Sequence, residues 1–228
     1  MNENKNKRSF WISTDWEQWP ERERARTMNS LSGFKSANLV GTSDKHGLSN
    51  LSMVSSVVHL GSSPALLGMV LRPPGANNAH TYKNLISTGQ CTYSHVNEAI
   101  FLKAHQCSAR YPKEVSEFDA VGLTPWLPPG IDWQAPAVAE ANIRMGLQLS
   151  EDIPLPNGCR FMVCALQWVE LPTDACASDG YIAIDQAESL TISGLDGYHQ
   201  TTSLGRLSYA KVDQPVQVIT DRLKGWED

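Results

Sequence analysis

The sequence has no apolar run approaching the ~20 residues that span a bilayer as a helix. It has no basic stripe either, and its formal net charge is −5. The first lack argues against a helical membrane span. The second removes the electrostatic footprint expected of a nucleic-acid binder. The common nucleotide loops GxGxxG and GxxxxGK[ST] do not occur, and neither HExxH nor HxH is found among the six histidines, so neither signature supports a P-loop or a metal site. Five cysteines (Cys91, Cys107, Cys159, Cys164 and Cys176) include no CxxC pair. Their odd number and scattered spacing suggest reduced, mostly buried thiols in a cytoplasmic protein, with no disulfide framework. The start, MNENKNKRSFW, is basic with no apolar core behind it and does not read as a secretory signal. There is no internal repeat and no low-complexity segment.

What is present fits one sizeable globular domain with extensions: 228 residues, 41% hydrophobic and 19% charged. The most informative stretch is Ser49–Arg72, SNLSMVSSVVHLGSSPALLGMVLR. Its second half, PALLGMVL, reads as a buried strand. Its first eight residues hold four serines and an asparagine. Such hydroxyls and amides at the edge of an apolar element could hold a phosphate and a polar heterocycle, or form an ordinary polar strand–loop–strand.

Taken in order, residues 1–8 are expected to fray. Trp11, Trp16 and Trp19 read as anchors that clamp an N-terminal arm onto the body. PERERARTMNSL suits a helix, with Pro20 in its first turn and Glu21 and Glu23 near the positive end of its dipole. From Phe34 a strand, a turn at Asp44–Gly47 and a second strand suggest a hairpin. The loop PPGANNA precedes a short helix in which Thr81 can serve as the cap and Gly89 as the stop. CTYSHV reads as a strand, NEAIFLKAHQCSA and RYPKEVSEFDAVGL as helices, and TPWLPPGIDWQAP as a surface loop. AVAEANIRMGLQL, GCRFMVCALQWVEL, GYIAI and LTISGL read as strands. His59 and Cys107 are expected to pack. Strands dominate, which suggests a closed or nearly closed barrel with helical decorations. Residues 210–228 form a polar tail, either a loose arm or one that crosses onto a neighbouring subunit.

The ordered segments SNLSMVSS, SSPALLGMVLRP, HTYKNLISTGQCTYSHV, AHQCSARYPKEVSEFDAVGLTP and APAVAEANIRMGLQL together resemble the flavin reductase-like family with the FMN-binding split barrel. The resemblance runs from about Asn38 to about Tyr209 and gives three parts: an arm over 1–33, the domain over 34–209 and a tail over 210–228. It implies a mainly β fold, a six-stranded antiparallel split β-barrel (Greek key) with peripheral helices. It also implies a homodimer with flavin near the interface. FMN is the implied cofactor, ahead of FAD, and NADH or NADPH the co-substrate.

By the same resemblance, Asn50, Ser52, Ser55 and Ser56 face the flavin ring and ribityl chain. Arg72, Thr81 and Asn84 hold its phosphate, which agrees with the anion affinity of a helix start beside a guanidinium. Ser94 and His95 stand where the family often carries Asn, a departure that weakens this contact. His105 and Ser108 fall in a segment that passes near the flavin. Tyr198, His199, Arg206 and Tyr209 are candidates for the nicotinamide face. No general base is nominated, because the flavin carries the redox chemistry. The implied activity is NAD(P)H:flavin oxidoreduction, feeding a flavin-dependent oxygenase in some relatives. The alternatives are a non-catalytic flavin-binding or electron-transfer module, or a split barrel acting on another substrate such as a phosphorylated pyridoxal compound.

Overall fold

The computed structural model describes residues 8–75 and 79–219. The first seven residues, the middle of the PPGANNA loop and the end of the tail lie outside the described residues. Seven strands form one antiparallel sheet. In chain order they are β1 (Asn38–Ser43), β2 (Ser49–Val54), β3 (Val57–Ser62), β4 (Ala65–Leu71), β5 (Gln90–His95), β6 (Arg144–Pro154) and β7 (Arg160–Glu170). Their order in space is β2-β1-β5-β6-β7-β4-β3.

The two outermost strands, β2 and β3, are neighbours in the chain, with only Ser55 and Ser56 between them. A single chain passage therefore supplies both edges of the sheet. Where the family resemblance implies six strands, the sheet has seven. The passage breaks at this bend into two strands that pair with different partners, β1 on one side and β4 on the other.

The helices are α1 (Ser13–Glu17), α2 (Glu21–Leu31), α3 (His80–Thr88), α4 (Phe101–Gln106) and α5 (Glu117–Val121). The second matches the PERERARTMNSL expectation, acidic first turn included. The third stops where expected, with Gly89 in the left-handed region at φ 72°, a conformation that glycine adopts without a Cβ penalty. Four expectations are corrected. The N-cap of α3 is Ala79, and Thr81 lies inside the first turn. GYIAI makes no strand, because only Ile182 finds a partner, a single bridge to Cys176. His59 is exposed on the edge strand β3 rather than packed. Trp11 packs edge-on against Trp19 with ring centroids 5.1 Å apart, so these tryptophans fasten the arm to itself, and Trp11 remains half exposed.

Alternation along the strands separates two apolar clusters. Leu39 and Leu51 point to one face, where Ile100, Ala104 and Phe118 of the α4–α5 region cover them. Val40 and Val54 point to the other, with Met69, Tyr93, Leu147 and Met162. Every residue of β1 is buried because both of its faces are covered. The parity of β2 puts Asn50 and Ser52 on the Val54 face, and Leu85 of α3 joins the cluster there.

The Pro-rich loop docks on the opposite face. Thr92 Oγ1 donates to the Pro136 carbonyl at 2.7 Å and Ser43 Oγ to the Gln134 carbonyl at 2.8 Å. Gly41 lies beneath this loop, and a Cβ there would run into the Pro136 carbonyl oxygen and Thr92 Oγ1. Gly41→Ala should therefore destabilise the protein by about 1–3 kcal/mol, because the obstacle is backbone that cannot swing aside. A lower midpoint in urea unfolding checks this.

His95 ends β5, and its Nδ1 lies 2.8 Å from Ser189 Oγ. Burial depresses its pKa from 6.5 to about 4. The fold thus holds the neutral ring, whereas the unfolded chain protonates near the ordinary value. Its contribution to stability is complete above pH 6.5 and is lost as pH falls toward about 4. His95→Gln should flatten that stretch of the stability–pH curve, removing up to about 3 kcal/mol of acid-dependent loss. Denaturation midpoints measured across the window report the slope.

Candidate functional site

α3 carries an unusual inward face. Its buried residues are Thr81, Asn84 and Leu85, so two of the three positions a packed helix would normally make apolar are polar. Leaving them unpaired would cost about 1–3 kcal/mol each. They are paired instead with the polar side of the β1–β2 hairpin. Asn50 Nδ2 donates to Thr81 Oγ1 at 3.0 Å, and Thr81 Oγ1 donates on to Ser52 Oγ at 2.9 Å. Asn84 Nδ2 donates to Thr42 Oγ1 at 3.2 Å. Asn50 and Asn84 are each 7% exposed and Thr81 is 9% exposed.

The helix start adds donors to this network. Ala79 offers no side-chain oxygen to the first-turn N–H groups, and those groups form the positive end of the helix dipole. The outer side of α3 is fixed separately. Tyr82 Oη donates to Asp152 of β6 at 2.9 Å, and Arg160 of β7 donates to the same carboxylate at 2.7 Å. The Arg160 guanidinium holds the Asp152 pKa below the usual carboxylate range, and the hydrogen bond to Asp152 raises that of Tyr82.

A second support acts through β2. As an edge strand, β2 has backbone groups that no neighbouring strand takes. The Leu51 N–H is bound by Glu117 Oε2 at 2.9 Å, and Ser49 Oγ lies 3.0 Å from Ser116 Oγ. Glu117 is buried. Burial pushes its pKa up, and the Leu51 N–H holds it down. Leu51 lies between Asn50 and Ser52, so this carboxylate fixes the backbone that aims both side chains into the network.

Ser55 and Ser56 form the bend after β2. Ser56 Oγ donates to the Val70 carbonyl at 2.8 Å and accepts from the Val70 N–H at 3.3 Å. The pairing of β3 with β4 begins at Val57 with Met69, and β4 ends at Leu71. Arg72 is exposed there, one residue beyond β4.

The other expected residues fall elsewhere. Ser94 pairs with Leu39 across the sheet and lies on the face opposite Asn50 and Ser52, where its Oγ accepts from the Val138 N–H at 3.0 Å. His95 is bound to Ser189. His105 and Ser108 are exposed at the end of α4. His105 Nδ1 lies 3.1 Å from Tyr198 Oη, and Tyr198 packs on Phe101 with centroids 5.7 Å apart. Burial drives the Tyr198 pKa up to about 12. His199 lies 2.8 Å from Ser193 Oγ and stacks edge-on with Phe34. Arg206 pairs with Asp179 at 2.6 Å and sits over the Tyr181 ring. Tyr209 is 90% exposed.

The structure thus joins Asn50, Ser52, Thr81 and Asn84 through Thr42, whereas Ser56 is bound to Val70 and Arg72 lies exposed one residue beyond β4. The aromatic group around Tyr198 makes its contacts apart from them. Sequence reasoning missed Thr42 and Glu117. A threonine between Gly41 and Ser43 in a fully buried strand carries no pattern that marks it. Glu117 had one available signal, a carboxylate just after Ser116 at a helix start, though that pattern alone also fits a surface cap.

The donor set suits a ligand with several acceptor oxygens. The flavin reductase like domain model matches residues 31–185. A protein from Aquifex aeolicus (strain VF5) is 27% identical over 117 residues, which span 51% of this chain and 59% of the relative's length. A solved structure of a candidate flavin reductase with split barrel domain from Shewanella frigidimarina NCIMB 400 is 43% identical, covers 89% of this chain and 100% of its own, and has a TM-score of 0.84. Nitrilotriacetate monooxygenase component B from Bacillus cereus shares the fold at 19% identity, with 88% and 100% coverage and a TM-score of 0.75. So does the NADH:FAD oxidoreductase SgcE6 from Streptomyces globisporus C-1027, at 12% identity, 86% and 98% coverage and a TM-score of 0.64. With the family model covering most of the chain and a full-length relative at this identity, the chain belongs to the flavin reductase like domain family.

Proposed function

We propose that the protein is an NAD(P)H-dependent flavin reductase that holds its flavin by the phosphate and ribityl chain, FMN being the smallest flavin with both. The observation that carries this reading is the buried hydroxyl–amide network of Asn50, Ser52, Thr81 and Asn84 beside a helix start whose cap residue has no polar side chain. Buried polar groups concentrated at the mouth of an apolar face fit a ligand that brings acceptors of its own. Thr81 and the first-turn N–H groups of α3 suit the phosphate, with Arg72 supplying charge from the end of β4. Asn50, Ser52, Ser55 and Ser56 suit the ribityl hydroxyls and the polar edge of the ring.

When bound, flavin supplies the hydride-accepting chemistry. The protein's share is positioning and electrostatics. Glu117 sets the backbone of β2 through Leu51, and Tyr82 sets α3 through Asp152. Neither contact requires a proton to move. Tyr198, packed on Phe101 with His105 beside it, is proposed for the nicotinamide, together with His199 and Arg206.

The same reading includes a homodimer and a flavin-dependent oxygenase as recipient of reduced flavin. The dimer is supported by large apolar side chains left open at both ends of the chain, among them Phe10, Leu204 and Val212. The oxygenase is supported by the shared fold with a monooxygenase component B. A cytoplasmic setting is supported by five free thiols.

Two measurements test this. Anaerobic addition of NADH or NADPH to the flavin-loaded protein should bleach the flavin's visible absorbance. A flavin that neither nucleotide reduces would leave a binding or electron-transfer module instead. The double variant Arg72→Ala/Thr81→Ala should weaken FMN about 100-fold, the loss of two charge-assisted contacts, while riboflavin changes by less than about threefold. Equal losses for both ligands would remove the phosphate role.

A further inference from the structure

A cavity of about 580 Å³ opens among three segments, residues 98–99 just beyond β5, 185–190 and 200–202. It shares no lining residue with the network of Thr42, Asn50, Ser52, Thr81 and Asn84. Ser189 lines it and is 9% exposed. The Ser189 hydroxyl lies 2.8 Å from Nδ1 of His95, and the ring makes no other hydrogen bond among the described residues. Burial keeps that ring neutral above about pH 4. With its proton on Nε2, the ring accepts from Ser189 Oγ through Nδ1, the relation of a nucleophile to its general base. Ser189 lines the cavity and His95 does not, so a ligand meets the oxygen rather than the ring.

The turn that delivers Ser189 is held from several sides. Glu188, just before it, has φ 59°, the sole non-glycine residue in the left-handed region among the described residues. Such a conformation persists only where its surroundings impose it. Here the Glu188 N–H donates to the Asp185 carbonyl, the Ser189 N–H to the Ile184 carbonyl, and the Leu190 N–H to the Val96 carbonyl. Asn142 Nδ2 adds bonds to the Ala187 carbonyl and to Glu188 Oε2, at 3.2 and 3.1 Å. The Thr201 and Thr202 hydroxyls also line the cavity and are free to donate to an oxygen that gains charge.

Charge narrows the substrate. The cavity is lined by Glu98, Asp185 and Glu188 and by no Lys or Arg. Glu98 takes the Gln200 amide at 2.7 Å and Glu188 takes that of Asn142. The half-buried Asp185 carboxylate has no partner among the described residues and is left to meet a cation.

We propose that Ser189, with His95 as its general base, cleaves small carboxylic esters that carry a positive charge, an activity separate from flavin reduction. Ser189 Oγ bonds to the ester carbonyl carbon while its proton passes to His95 Nδ1. The bond from that carbon to the alcohol oxygen breaks, and the alcohol leaves with the proton. Water then attacks the acyl group and gives a proton to His95. Ser189 departs with that proton, and the carboxylic acid is released.

The test uses acetylcholine and its neutral isostere 3,3-dimethylbutyl acetate, with acid release followed by pH-stat titration. The full chain should hydrolyse both above the background rate, with kcat/KM at least about tenfold higher for acetylcholine, the effect of one ion pair. Ser189→Ala should lose at least about 100-fold on both substrates. Asp185→Asn should remove the preference and leave the neutral ester within about twofold. Circular dichroism and thermal midpoints establish that the variants are folded. Independently of any variant, phenylmethylsulfonyl fluoride should abolish hydrolysis, and peptide mass spectrometry should find its sulfonyl group on Ser189. No hydrolysis above background, a parent-like rate in Ser189→Ala, equal rates on the two esters, or a sulfonyl group on another residue each overturns the proposal. None of these outcomes bears on the flavin reading, which is tested by flavin binding and bleaching.

Discussion

The inward face of α3 is polar where it meets the sheet, and much of the molecule serves to make that tolerable. Thr81 and Asn84 would be among the most costly residues of the fold if left unpaired. Pairing them fixes the angle of the helix, because hydrogen bonds of 2.9–3.2 Å leave little room for it to roll. Tyr82 and the Asp152–Arg160 pair hold the other side of the same turn. The helix start is thus clamped from two directions by groups on four strands, which is the rigidity a pre-organised anion site needs.

The same economy governs the edge of the sheet. An exposed edge at β2 would offer its Leu51 N–H to solvent or to another chain. Glu117 takes that hydrogen bond from a short helix otherwise anchored by apolar packing of Phe118. A carboxylate in this position does what another strand would do, and it leaves the inner face of β2 free for Asn50 and Ser52 to meet Thr81. Covering an edge and aiming a site are here one contact.

Much of this was legible in sequence. The β1–β2 hairpin, the strand at PALLGMVL, the helix ending at Gly89 and the long strands of the second half follow from turn residues and alternation. The polar block after Ser49 was legible as a possible ligand edge because serine and asparagine are out of place in an apolar strand. Other features were less accessible for physical reasons. Thr42 becomes a network member only through two amides brought from β2 and α3, and no local pattern encodes that meeting. Ser94 stands where the family resemblance implies a flavin contact, yet strand parity sends it to the face opposite Ser52. GYIAI has strand-forming residues but no ladder to join, since strand propensity cannot supply a partner.

The bend at Ser55–Ser56 has a consequence for how the protein acquires its site. It joins two hairpins, β1–β2 and β3–β4, each closed by a short local turn. Each can form early, since nearby contacts cost little loop entropy. The pairings that bring β1 to β5, and β4 to β7, span far more chain and come at greater entropic cost. Asn50 and Ser52 belong to the first hairpin, Arg72 follows the second, and Thr81 enters only when α3 docks. The proposed phosphate site would therefore be complete only late, when the distant strands have closed, so that ligand capture there during refolding would report completed topology rather than secondary structure.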